Sequence, residues 1–413
     1  MTTSETISPP NDGLDGLQPI EPRALAGVMP NAPHQKSRGF MTGASYELAI
    51  VEFDDQGLCY SRQQMDGVAE RLEMLAPERG QGRDVILVAF VHGWKHDART
   101  DDENLSAFRI LLSKTVDHEH ATTAPGGRAR PVLGIFVGWR GLSAFGLGDA
   151  VADATFLDRQ AAGQRVATGS ARELFGRLRH YRRRRQQDSG APLLVIVGHS
   201  FGGMIVYSAL AQSLIEAASA PVGKMVPTFA DLVLLVNPAI EGARYLPIQD
   251  LVRSPEFQKR TTEQLPVFIC AQAENDQPVG VWFPVGNITH NLQSTIGPLE
   301  RESLTHAIGF VRSFRTHSLT GPQGGKPFVL DPPTSFQTNP FWVVGASKEV
   351  INGHGGIWRD PFLSFIASLV FQHVQASKNA SAAETTASGG RGASSGDLAT
   401  FAKSIGSIRL PRL

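Results

Sequence analysis

Seven short apolar runs constrain most what this chain can fold into. They are "YELAIVEF" (Tyr46–Phe53), "VILVAFVH" (Val85–His92), "VLGIFVGW" (Val132–Trp139), "LLVIVG" (Leu193–Gly198), "LVLLVN" (Leu232–Asn237), "PVFICA" (Pro266–Ala271) and "FWVVGA" (Phe341–Ala346). Several are hydrophobic almost without a break, which suits strands buried on both faces. Helical patterns lie between many of them: "SAFRILLSKTV" after the second run, "SARELFGRLRHYRRRR" before the fourth and "GGMIVYSALAQSLIEAA" after it. Strand alternating with helix predicts an α/β fold, with a mostly parallel central sheet and helices on both faces. No linker-like break interrupts the alternation, so one domain is expected over residues 41–375. Residues 1–40, rich in Pro, Ser, Thr and Asn, read as a flexible arm. Residues 376–413 open on low-complexity Ala/Ser/Gly and read as a disordered tail.

Composition narrows the partners. Lys+Arg and Asp+Glu both number 39, so nothing global attracts nucleic acid or an anionic membrane. The one dense basic run, "RLRHYRRRRQQ" (Arg177–Gln187), reads as a solvated helix face with cations near its C-terminus. Two cysteines, Cys59 and Cys270, make no disulfide framework or cysteine zinc site, and Cys270 sits in an apolar run as a buried small hydrophobe. The N-terminus "MTTSETISPPNDG" lacks the basic and apolar regions of a signal peptide. No apolar stretch reaches the roughly 18 residues of a membrane span. A cytoplasmic location is expected, with signal-less export left open. "HEH" at His118–His120 reads as a polar loop, and no metal or organic cofactor is expected.

The chemistry gathers at the ends of the apolar runs. "LLVIVGHSFGGMIVYSAL" is strand, G-x-S-x-G, then helix. So sharp a turn strains its central residue and needs small neighbours, which accounts for Gly198 and Gly202. It presents the Ser200 hydroxyl at a helix N-terminus, where developing negative charge is favoured. "PVFICAQAENDQPVG" leaves a strand and reaches Glu274 and Asp276. Asp276, just past the strand end, is the preferred acid to orient a histidine, with Glu241 in "VNPAIEGARY" as rival and Glu274 third. "WVVGASKEVINGHGGIW" places His354 between two glycines, in a short loop after a strand, as a general base requires. His306 and His317, in "LTHAIGFVRSFRTHSL", read as helical and follow no strand. His290 lies in a polar loop, and His199 would point away from its neighbour at the turn.

The order Ser200, Asp276, His354 differs from that of chymotrypsin-like and subtilisin-like enzymes. With these motifs the chain, over roughly residues 45–370, resembles the α/β-hydrolase-fold serine esterases and lipases, in particular bacterial members of unassigned function. The resemblance implies an oxyanion hole made by the Phe201 amide and by the Trp94 amide in "VAFVHGWKHDA", with Gly93 permitting close approach. It implies hydrolysis of a small-molecule ester or lipid through an acyl-enzyme, without a cofactor. The same triad also serves acyltransferases, amidases and exported lipid-directed toxins, and the same fold can serve as a non-catalytic interaction module. About 70 residues separate the acid strand from the histidine strand, more than a minimal fold needs. Within "WRGLSAFGLGDAVADATFLDRQAAGQRV" (Trp139–Val166), Trp139 and Phe145 are candidates to line an acyl pocket, under a lid or an ordinary crossover.

Overall fold

The computed structural model describes residues 27–32, 46–78, 84–93, 96, 98, 102–123, 125–139, 156–185, 191–277, 298–332 and 337–389. Among these, ten strands form one sheet in the order β1-β2-β4-β3-β5-β6-β7-β10-β8-β9. The strands are β1 (Gly27–Ala32), β2 (Tyr46–Phe53), β3 (Ile86–Val91), β4 (Val132–Trp139), β5 (Leu193–His199), β6 (Leu232–Val236), β7 (Phe268–Ala273), β8 (His317–Thr320), β9 (Val329–Asp331) and β10 (Phe341–Ala346). From β2 through β10 to β8 every neighbouring pair is parallel; only β1 and β9, at the two edges, run antiparallel. This is the mostly parallel α/β sheet, with helices on both faces, expected from the apolar runs.

The uninterrupted hydrophobicity of the strands has a direct cause. In β3, Leu87, Ala89 and Val91 enter one core, while Ile86, Val88 and Phe90 enter the other. Successive side chains leave a strand on opposite faces, so both sets must be apolar when both faces are covered. Helices α1 (Arg62–Leu75), α3 (Phe156–Thr168), α4 (Ser170–Arg185) and α5 (Phe201–Ala218) supply Met65, Val166, Phe175 and Met204 to the first core. Helices α2 (Glu103–Thr122) and α6 (Asp360–Gly389) supply Phe108 and Phe365 to the second. Helix α5 is apolar on nearly every side because it is a core helix, 67% buried; it alone among the described residues is long and apolar enough to span a membrane.

Several expectations are revised. Gly27–Ala32, inside the segment read as an arm, pairs with β2 as an edge strand. The helix α6 runs past residue 376 to Gly389, into the segment read as a tail. His118 and Glu119 lie on α2, not in a loop; the His118 ring stacks on Phe371 of α6. His317 opens β8 instead of sitting in a helix. The long stretch before the histidine strand includes β8 and β9, which extend the sheet beyond β10.

The topology also positions a site. After β3 the chain goes to β4 on one side, whereas after β5 it goes to β6 on the other. Between β3 and β5, at their C-terminal ends, the connections diverge, which marks the usual ligand position of an open α/β sheet. Val91 and Gly198 are in register there.

Candidate active site

Ser200 sits between β5 and α5 at φ 57° and ψ −122°. A residue with a Cβ is strained there, and it persists because its surroundings hold it. Its N–H donates to the Val236 carbonyl at 3.0 Å, while its carbonyl accepts from Met204 and Ala239 at 3.2 Å each. The turn is tight enough to exclude side chains around it. A Cβ on Gly198 would lie 2.6 Å from the Gly202 carbonyl oxygen, and one on Gly202 would lie 2.1 Å from that of Val91. A Cβ on Gly93 would meet the Ser200 Cβ at 2.8 Å. So the β3 loop lies directly against the serine.

The structure brings Ser200, His354 and Asp276 together from β5, the loop after β10 and the loop after β7. His354 Nε2 lies 2.7 Å from Ser200 Oγ. His354 Nδ1 lies 3.1 and 3.0 Å from the two Asp276 carboxylate oxygens. Facing a carboxylate, Nδ1 carries the proton; Nε2 then holds a lone pair toward the serine hydroxyl. The Asp276 side chain is fully buried and also accepts from Gln272 Nε2 at 2.9 Å. The rival carboxylates have other partners. Glu241 accepts from Gln160 and pairs with Arg244, and Glu274 pairs with Arg315. His306 bonds Thr305 at the end of a short helix. His317 bonds Thr316 and Gln337, and burial pushes its pKa down to about 4.

Phe201 is the first residue of α5, with its ring against the edge of Trp139. Trp94 and Phe145 lie outside the described residues, as does His290. Trp139 is buried at the end of β4, and both its N–H groups are spent on His92: the backbone N–H on the ring Nε2 at 3.1 Å, the indole N–H on the carbonyl at 2.9 Å. Because Nε2 accepts, His92 Nδ1 carries the proton and donates to the Gly93 carbonyl at 2.8 Å. His92, which the sequence shows only as the end of an apolar run, thus bonds the carbonyl of Gly93, the residue that lies against Ser200.

Two more residues belong to the site: His199, which points away from Ser200 as expected, and Asn237, which the sequence did not single out. His199, fully buried, turns its ring toward the His354 backbone and donates from Nε2 to the His354 carbonyl at 2.9 Å. Burial, reinforced by the charge that His354 can carry, holds its pKa well below the ordinary histidine value. Asn237, at the end of β6, has φ 45° and no exposed surface. Its signal was an Asn-Pro step closing an apolar strand, which reads first as a turn. Among the described residues no three His, Cys, Asp or Glu side chains group as a metal site.

No family model and no curated protein matches this chain. Several solved structures are similar to it. Acyl-protein thioesterase 2 of Zea mays shares 14% identity, over 72% of this chain and 96% of that one, with a TM-score of 0.27. Est1E of Butyrivibrio proteoclasticus shares 8%, over 73% and 90%, with a TM-score of 0.27. Phospholipase PlaB of Legionella pneumophila shares 12%, over 73% and 62%, with a TM-score of 0.31.

Proposed function

We propose that this protein is a serine hydrolase that cleaves carboxylic esters of small molecules or lipids. The observation that carries the reading is the 2.7 Å contact between His354 Nε2 and Ser200 Oγ, with Nδ1 held on the buried Asp276 carboxylate. In this reading Ser200 Oγ attacks the ester carbonyl carbon and passes its proton to His354 Nε2. Asp276 keeps the ring in the reactive tautomer and stabilises the imidazolium. The Phe201 and Trp94 amides receive the oxyanion. Collapse of the tetrahedral intermediate breaks the ester C–O bond, and His354 returns the proton to the leaving alkoxide. Water, deprotonated by the same imidazole, then cleaves the acyl-enzyme and frees the carboxylic acid and Ser200.

Labelling with a fluorophosphonate probe, followed by mapping of the modified residue, tests the reading. Ser200 is expected to carry the label. Ser200→Ala is expected to lose both labelling and turnover of short acyl p-nitrophenyl esters while keeping its fold. A folded Ser200→Ala protein retaining more than about one thousandth of wild-type turnover overturns the reading, because oxyanion and binding groups alone leave only ~10³–10⁴-fold catalysis over water.

A further inference from the structure

Beyond the three reacting side chains, one buried amide touches the supports of both the acid and the base. Asn237 Oδ1 accepts from the backbone N–H of Ala273 at 2.8 Å and from Gln272 Nε2 at 3.3 Å. Its Nδ2 donates to the His354 carbonyl at 2.9 Å and to the Gly353 carbonyl at 3.2 Å. Gln272 Nε2 in turn bonds Asp276, and Asp276 bonds the His354 ring. The bonds close a ring: Asn237 to Gln272, to Asp276, to the His354 imidazole, and back through the His354 carbonyl to Asn237. His199 Nε2 supplies the second donor on that same carbonyl. The base is therefore held at two places, its backbone oxygen and its Nδ1, and Asn237 adjoins both routes.

We infer that Asn237 is a positioning residue that sets the distance between acid and base by tying the end of β7 to the histidine loop through its amide; this rests on the proposed triad. The residue type is dictated by three demands. The side chain must accept on one side and donate two hydrogens on the other, which a hydroxyl with its single proton cannot do and the short asparagine amide does without a charge. It must do so with no exposure to water, where an unpaired polar atom is costly. It must tolerate a left-handed backbone, where asparagine is enriched among residues with a Cβ. Aspartate would keep the acceptor but turn a carboxylate oxygen toward the carbonyls of Gly353 and His354. Misplacing a reacting group by about 1 Å costs on the order of 10²-fold in rate.

The test uses the full chain with Asn237→Gly and Asn237→Asp. Glycine removes the amide while suiting the positive φ; aspartate keeps the shape. The rate constant of fluorophosphonate labelling reports activation of the serine, whereas its final extent counts folded molecules, so partial unfolding cannot imitate the effect. Both variants are expected to label more slowly by about 10²-fold, and to lose kcat on a p-nitrophenyl ester with KM nearly unchanged. Wild-type labelling rates and kcat in both variants, with labelling still lost in Ser200→Ala, overturn the role of Asn237 alone. Labelling that persists unchanged in Ser200→Ala overturns the triad reading, and the role of Asn237 with it.

Discussion

At the scale of single residues, geometry separates three carboxylates and three histidines that chain position alone leaves in competition. Asp276→Asn replaces an acceptor with an amide beside the donors Gln272 Nε2 and His354 Nδ1. It is expected to lower kcat by about 10⁴-fold through the wrong imidazole tautomer. Glu241→Gln is expected to leave kcat within a few-fold of wild type, since Glu241 bonds Gln160 and Arg244. Steady-state kinetics on the two purified variants decides, and the reverse outcome places the acid after β6. Among the histidines, His354→Ala is expected to abolish turnover. His306→Ala and His317→Ala are expected to retain most of it, because their rings are engaged by Thr305 and by Thr316 and Gln337. Loss of activity in His306→Ala with retention in His354→Ala would move the base to the segment before β10.

At the scale of elements, the basic run closing α4 shows how a run of one charge is accommodated. Arg184 pairs with Glu73 of α1, and Arg185 with the buried Asp84. Arg182 is buried and grips Asp231 through two bonds, at 2.9 and 2.6 Å. Asp231 also accepts the N–H of Leu194, so this pair joins α4 to the start of β5. These pairs fit a helix face built into the fold better than a nucleic-acid patch. Arg182→Met leaves the Asp231 carboxylate against a mostly buried surface and is expected to destabilise the protein by about 3 kcal/mol. Arg184→Met, in a pair about half exposed, is expected to change the urea midpoint very little. Equal midpoints for the two variants in urea denaturation would refute the distinction.

At the scale of the whole molecule, buried neutral histidines tie stability to pH. His317 is held down to about 4 by burial, with Asp331 opposing. Burial also lowers His199 and His373. In the unfolded chain these rings titrate near pH 6.5. A pKa depressed on folding means the unfolded state binds more protons below that pH. The stabilisation is thus complete above about pH 6.5 and is lost as pH falls toward 4. His317 alone contributes on the order of 3 kcal/mol to that loss. Urea midpoints measured from pH 7.5 to pH 4.5 are expected to fall steadily, and less steeply in His317→Gln; a flat profile across that range refutes the linkage.

How much was legible beforehand depends on how far each feature reaches along the chain. Strands buried on both faces announce themselves, because covering both faces forces every position to be apolar; "VILVAF" and "LLVIV" could be read as such unaided. The turn at Ser200 was legible for a related reason. Gly198 and Gly202 lie within two residues of Ser200, and the backbone contacts that demand them are set by the local turn together with the adjacent strand. Edge elements were not legible: β1 has no apolar run of its own, and β8 alternates buried with exposed over only four residues. Asn237, His199 and His92 were invisible as parts of a site. Their distant partners lie 35 to 155 positions away, and a polar residue ending a strand looks the same whether it closes a turn or a network. Local sequence determined the periodicity, the strained turn and the types of the candidate reacting groups. Only the tertiary structure decided which of three carboxylates meets the histidine, because a hydrogen bond is satisfied by distance in space and carries no signature in chain separation.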